Sequence, residues 1–159
     1  MSKHLRRHLG QLIVAGFAGE TIPQELRSLA HEFDLGGVIL FDRNIDVPGQ
    51  IAELAYDARN LSRETPVWVS VDQEGGRVAR LRAPFTEWPP MTTLGRSGDR
   101  ALAERFGRAL AVELRAVGVT LDYAPVLDVD TNRDNPVIGD RALSVRAEDV
   151  ARFGAAIVD

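Results

Sequence analysis

Val67-Trp68-Val69-Ser70-Val71-Asp72-Gln73-Glu74-Gly75-Gly76-Arg77-Val78-Ala79-Arg80 is the stretch that decides the architecture. Its apolar opening ends abruptly in acids, glycines and arginines, so it reads as a buried strand delivering polar groups to one end of a sheet. The same alternation recurs on either side. Gln11 to Gly16 is a short apolar run, after which Gly19 and Pro23 announce a turn into a helical pattern with Leu26, Leu29, Ala30 and Phe33 on one face. Gly36-Gly37 opens a second strand, Val38 to Phe41, closed by Asp42-Arg43-Asn44. Pro48 sits near the start of the next helix, where its missing amide proton costs little, and Ile51, Leu54, Ala55, Ala58 and Leu61 continue a buried stripe. Downstream, a connection rich in proline (Pro84, Pro89, Pro90) leads to the longest helical pattern, from Asp99 to Val117. Leu102, Phe106, Leu110 and Leu114 form its core face and Gly118 its stop. Val119 to Tyr123 predicts a fourth strand, and Val145 to Val158 a fourth helix with Val150, Phe153, Gly154 and Ile157 in register.

Strands apolar on both faces and separated by helices predict an α/β fold with a parallel sheet, because parallel strands need crossovers and the crossovers cover both faces. Two architectures satisfy this: an open doubly wound sheet, including a flavodoxin-like domain, or part of an eight-stranded barrel. Both bind ligands at the carboxyl ends of the strands, where Gly19-Glu20, Asp42 to Asn44, Asp72 to Gly76 and Asp128 to Asp134 gather. The last helical pattern still runs at Asp159, which favours the barrel. The expectation is a TIM-type (β/α)8 barrel represented by roughly its first four units, residues 1-159 being the N-terminal part of one truncated domain.

Bulk properties exclude several classes. With 19 basic against 23 acidic residues the formal net charge is −4, so no overall basic field attracts nucleic acid. No apolar run approaches the roughly 18 to 20 residues needed to cross a bilayer, and the basic start lacks a signal-peptide pattern. These features predict a soluble, cytoplasmic chain without a membrane partner. The absence of cysteine removes thiolate metal sites and cysteine nucleophiles. His4 and His8 share a face if the chain opens in a helix, but no third ligand is near, so no metal is expected. The alternating Asp128, Asp130, Asn132 and Asp134 resemble a calcium loop, yet Arg133 occupies the required glycine position and Gly139 stands where the bidentate glutamate belongs. Gly16-Phe17-Ala18-Gly19 lacks the spacing of a dinucleotide or phosphate loop. Asp122, Asp128 and Asp130 read as turn caps and arginine partners rather than as paired catalytic carboxylates.

Carboxylates beside guanidinium groups after the third strand suit a neutral, hydroxyl-rich ligand, since one accepts hydrogen bonds and the other donates several in a fixed fork. Sugar is the first ligand class this suggests. The same residues equally fit an Asp72 that caps a turn, with Arg77 and Arg80 on a solvated face.

Four separated pieces resemble glycoside hydrolase family 3: Leu35 to Asn44; Val71 to Arg80; Tyr123-Ala124-Pro125-Val126-Leu127-Asp128-Val129; and Asn135-Pro136-Val137-Ile138-Gly139-Asp140-Arg141. The last is more similar to the bacterial β-N-acetylhexosaminidase branch than to the family's β-glucosidases. The resemblance implies a TIM-type barrel that hydrolyses terminal non-reducing β-linked N-acetylglucosamine with retention, in peptidoglycan recycling, without a cofactor. By position, Asp72 matches an aspartate that accepts hydrogen bonds from sugar hydroxyls, and Arg80 and Arg141 match arginines that hold the sugar. Arg80 also orients Asp72, Glu74 pairs with Arg77, and Arg43 and Asn44 shape the rim. The family's Lys-His-Phe-Pro-Gly-His-Gly stretch, with its acid/base histidine, and its nucleophilic aspartate are expected beyond Asp159. No catalytic residue is therefore assigned within these residues, and the segment alone is expected to be inactive. The partner implied is an N-acetylglucosamine-containing saccharide or muropeptide. The alternatives are a family 3 β-glucosidase and a non-catalytic carbohydrate-binding half barrel, whose unclosed edges would invite self-association.

Overall fold

A computed structural model describes residues 3–62, 65–132 and 134–159; Arg133, which interrupts the calcium-loop pattern, lies outside them. The described residues divide into two compact units. The first comprises residues 1–71 and 114–122 and the second 72–113 and 123–159.

The first unit carries the sheet. Helix α1 (Lys3–Gly10) precedes strand β1 (Val14–Ala15), then α2 (Gln24–Phe33), β2 (Gly37–Leu40), α3 (Pro48–Arg59), β3 (Trp68–Val71) and, later in the chain, β4 (Leu121–Asp122). All three pairings are parallel and the spatial order is β1-β2-β3-β4. An order without reversal has no topological switch point, which sets it apart from the 2-1-3-4-5 order of a flavodoxin-like sheet. Val38 and Leu40 of β2 and Val69 and Val71 of β3 are completely buried, as is Ser70, whose hydroxyl donates to the Val38 carbonyl at 2.8 Å. These pairs, two residues apart, bury one face of each strand completely; the other face is covered at Ser70 but open at Trp68, which is 55% exposed, so the expectation of strands buried on both faces holds only in part.

Local chemistry sets the element ends. Pro48 takes the first turn of α3, and Ile51, Leu54, Ala55, Ala58 and Leu61 are all buried as predicted. Asp34 closes α2 in the left-handed region, its N–H donating to the Ala30 carbonyl, while its buried carboxylate accepts from Gln11 and from the Ser62 hydroxyl. Gly118 is the helix stop with φ +81. His4 and His8 share a face of α1, their rings meeting edge to face at 4.1 Å.

Departures from the predicted registers are informative. Leu29 is 50% exposed and leaves the α2 stripe to Leu26 and Ala30. In α5 (Arg100–Ala116) the buried position is Ala103 rather than Leu102, which is 38% exposed, because a rotation of one residue brings Phe106, Leu110 and Leu114 inward together. Asn44 does not face a rim. It is fully buried and donates to the carbonyls of Phe17 and Gly19, while Arg43 donates to Phe17 at 2.7 Å, so both tie down the loop after β1.

The second unit is helical. Its elements are α4 (Met91–Ser97), the greater part of α5, and α6 (Ala147–Val158), with a short 3-10 turn at Gly139–Arg141. The sequence reading missed α4, a short helix in the connection it treated as proline-rich. Pro90 is its N-cap and Gly98, with φ +68, ends it. Trp88 packs edge to face on Phe106 at 5.0 Å, and Leu81, Leu143 and Phe153 are the large side chains sealed inside. Val150, Phe153 and Gly154 are buried as predicted, and Ala156 joins them.

Candidate functional site

The polar segment that follows β3 belongs wholly to the second unit. Gly75 and Gly76 carry φ values of +100 and +59, a conformation L side chains rarely adopt, and they turn the chain so that the Glu74 and Gly75 N–H groups both donate to the Val78 carbonyl. Close approach matters as much as φ, because a Cβ on Gly76 would come within 2.8 Å of Pro90 and one on Gly75 within 2.7 Å of the Pro89 carbonyl. Beneath this turn lies Gln73, 2% exposed. Its side chain accepts from the Arg80 and Leu81 N–H groups at 2.7 and 2.9 Å and donates to the Leu81 carbonyl at 2.8 Å. That clamp sets where the loop bearing Asp72 and Arg80 begins and ends.

Asp72 and Arg80 form an ion pair, Arg80 Nη2 donating to Asp72 Oδ2 at 3.3 Å, with the two side chains 25% and 21% exposed. Partial burial keeps solvent from fully screening the pair while leaving both accessible. This is the orienting contact the sequence suggested for Arg80.

Glu74 does not pair with Arg77. It is 3% exposed, and its carboxylate receives a bidentate fork from Arg141, Nη2 to Oε1 at 2.7 Å and Nε to Oε2 at 2.8 Å. A buried carboxylate needs a fully engaged cation, and only the parallel donors of a guanidinium fill both oxygens from one side chain. Arg77 instead lies outside, donating to the carbonyls of Val137 at 2.6 Å and Ile138 at 3.2 Å and to Asp140 at 3.3 Å. Arg141 Nη1 also reaches the Val137 carbonyl, at 3.0 Å. The 72–80 and 137–141 segments are thus joined by two arginines, one from each.

The Glu74 hydrogen bonds hold the Arg141 guanidinium above its ordinary pKa, against the lowering effect of burial, and the charges of Glu74, Asp128 and Asp72 add to the effect. The sign is that of a cation gaining partners: its stabilisation is complete at neutral pH and is lost only as strongly alkaline solution deprotonates it. The same attraction places Asp72 and Asp128 within electrostatic reach of Arg141. Asp72, Arg80 and Arg141, named from sequence, all belong to the second unit. Glu74, which the sequence paired with Arg77, is the bonded partner of Arg141, and Asp128, expected to cap a turn or partner an arginine, adds to its field. A separate cavity of about 530 Å³ is lined by residues including Thr92, Arg96, Asp130, Asp140 and Ser144, and none of the three predicted residues lines it. Among the described residues there is no group of three or more potential metal ligands, and no helix is long and apolar enough to cross a membrane.

The N-terminal domain of glycosyl hydrolase family 3 matches residues 4–159. The beta-hexosaminidase of Nitrosomonas eutropha is 43% identical over 157 residues, covering 94% of this chain and 44% of that protein. That of Thiobacillus denitrificans is 40% identical over 156 residues, covering 94% and 43%. The chain thus spans less than half the length of these relatives. Among solved structures, a glycoside hydrolase family 3 beta-N-acetylglucosaminidase from Paenibacillus sp. str. FPU-7 superposes with a TM-score of 0.90 at 40% identity, over 97% of this chain and 30% of that one. NagZ from Neisseria gonorrhoeae, in complex with N-trifluoroacetyl-D-glucosamine, gives 0.84 at 34% identity, over 91% and 44%. The chain belongs to glycosyl hydrolase family 3 and corresponds to its N-terminal domain.

Proposed function

We propose that this chain forms roughly the first four units of a (β/α)8 barrel in a retaining β-N-acetylhexosaminidase. The complete protein would release terminal non-reducing β-linked N-acetylglucosamine from saccharides or muropeptides of peptidoglycan, in the cytoplasm. One observation carries the reading: the Asp72–Arg80 ion pair and the Glu74-bound Arg141 both belong to the second unit, in a chain similar to beta-hexosaminidases over 94% of its length. The unreversed strand order supports the barrel, since each new β/α unit is laid beside its predecessor.

In this reading the chain binds and orients sugar and performs no bond cleavage. Asp72 accepts hydrogen bonds from two hydroxyls, and a sugar with a misplaced hydroxyl leaves that acceptor unpaired at a cost of about 1–3 kcal/mol. Arg80 holds Asp72 in position, and Arg141 donates to ring substituents. Nucleophile and acid/base belong to residues outside this sequence.

The test compares the 159-residue chain with the longest polypeptide its gene encodes, on aryl N-acetyl-β-glucosaminide and aryl β-glucoside. The long form is expected to cleave the former and release the β-anomer first, as followed by proton NMR, while the short form binds N-acetylglucosamine without turnover. Cleavage by the short form would refute the division of labour. Preference for the glucoside would make the protein a β-glucosidase, and a long form that binds but never cleaves would make it a carbohydrate-binding module.

A further inference from the structure

We infer that Glu74 is a positioning residue, whose buried carboxylate presents Arg141 to the sugar in one fixed orientation. The inference rests on the sugar-binding reading above and extends it to a residue that touches no ligand. A guanidinium has five N–H donors in a rigid plane. In Arg141 the Nε–H and one Nη2–H are taken by Glu74 and one Nη1–H by the Val137 carbonyl, so one N–H on each terminal nitrogen remains for a ligand.

Three features make Glu74 the reference point of this arrangement. Its side chain is 4% exposed against 21% for Arg141, so it is the carboxylate that is walled in and the arginine that reaches outward. Its backbone N–H is held by the Val78 carbonyl in the glycine turn, so the side chain starts from a fixed position. Arg141 supplies all of its side-chain hydrogen bonds among the described residues, so the two have no alternative pairing in which Glu74 remains satisfied. A long arginine without such a partner would sample many rotamers and lose that entropy on each binding event. Here the ordering is already complete before ligand arrives.

The experiment uses Glu74→Gln, Arg141→Lys and the double variant. Glu74→Gln keeps size, removes the charge and replaces one acceptor oxygen by an NH2 donor, which breaks the bidentate fork without stranding a buried carboxylate as Arg141→Ala would. Two readouts are needed, because a residue that merely stabilised the fold would move only the melting midpoint. In nitrogen-15 NMR, the Arg141 Nε–H signal, identified by its disappearance in Arg141→Lys, is expected to be sharp and protected in the native chain. In Glu74→Gln it is expected to be averaged with solvent. By titration, N-acetylglucosamine affinity is expected to fall about tenfold in each single variant and no further in the double variant, because both act through one guanidinium. A native chain that binds no N-acetylglucosamine overturns the sugar reading itself. A native chain that binds, with Glu74→Gln binding equally well or adding in full to Arg141→Lys, overturns the positioning role alone.

Discussion

Gln73→Ala tests how far a single buried amide supports the site. Its side chain satisfies the N–H and carbonyl of Leu81, a residue 1% exposed, and the N–H of Arg80. Truncation strands the two Leu81 groups away from water at about 1–3 kcal/mol each, whereas water can reach the partly exposed Arg80 and replace its bond at little cost. The total is about 2–6 kcal/mol, a large share of the roughly 5–15 kcal/mol that holds a domain together. For a chain of this size, at about 2–4 °C per kcal/mol, that corresponds to a fall in melting temperature of roughly 4–24 °C. Thermal unfolding followed by circular dichroism measures it, with urea titration as a second route. Gln73→Leu, which restores volume without polar atoms, is expected to lose at least as much, separating lost hydrogen bonds from lost packing. N-acetylglucosamine affinity should weaken in both, since the amide anchors the backbone of Arg80. A shift under about 2 °C in Gln73→Ala would refute the claim that this clamp organises the loop.

Asp72→Asn is expected to reduce N-acetylglucosamine affinity at least about tenfold by calorimetry, while changing stability by no more than about 1 kcal/mol, because its partner Arg80 is near enough to solvent to be rehydrated. Asp140→Ala should alter the melting midpoint by no more than about 2 °C, since the Arg77 pair is 47% exposed on both sides and screened by water and salt. Gly49→Ala in α3, where an added Cβ meets open space, is expected to stabilise by about 0.5–1 kcal/mol. Gly95→Ala in α4 should destabilise by more than that gain, because its Cβ would run into the Leu143 backbone carbonyl. Denaturant midpoints of the two variants moving in the same direction would contradict this reading.

Much of the first unit was legible because its signals are local. An apolar run opened by glycine marked β2, one ending abruptly in charged residues and glycines marked β3, Pro48 marked the start of α3, and Gly118 marked a stop, each through a steric or solvation rule acting within a few residues. Where facing matters, sequence spacing was less decisive. Leu29 and Leu102 fit a helical stripe as well as their neighbours do, yet the packing partners of α2 and α5 cover a different arc and leave them at the surface. The short α4 carries too few turns for periodicity to register, and its flanking prolines read as a connection.

For the site, residue chemistry and a family likeness picked out Asp72, Arg80 and Arg141, and the Asp72–Arg80 contact was foreseeable because eight positions and a glycine turn separate them. Pairing across 67 positions was not: proximity in sequence suggested Arg77 for Glu74, whereas the folded chain gives it Arg141. The amino-acid sequence by itself determined which groups carry charge, where the backbone must turn, and which apolar runs form the strands of a parallel sheet. Only tertiary structure decided which arginine meets the buried carboxylate and which stays in water. That choice depends on which cation can be brought within about 3 Å when the rest of the chain has packed, and a buried charge leaves no tolerance for the wrong answer.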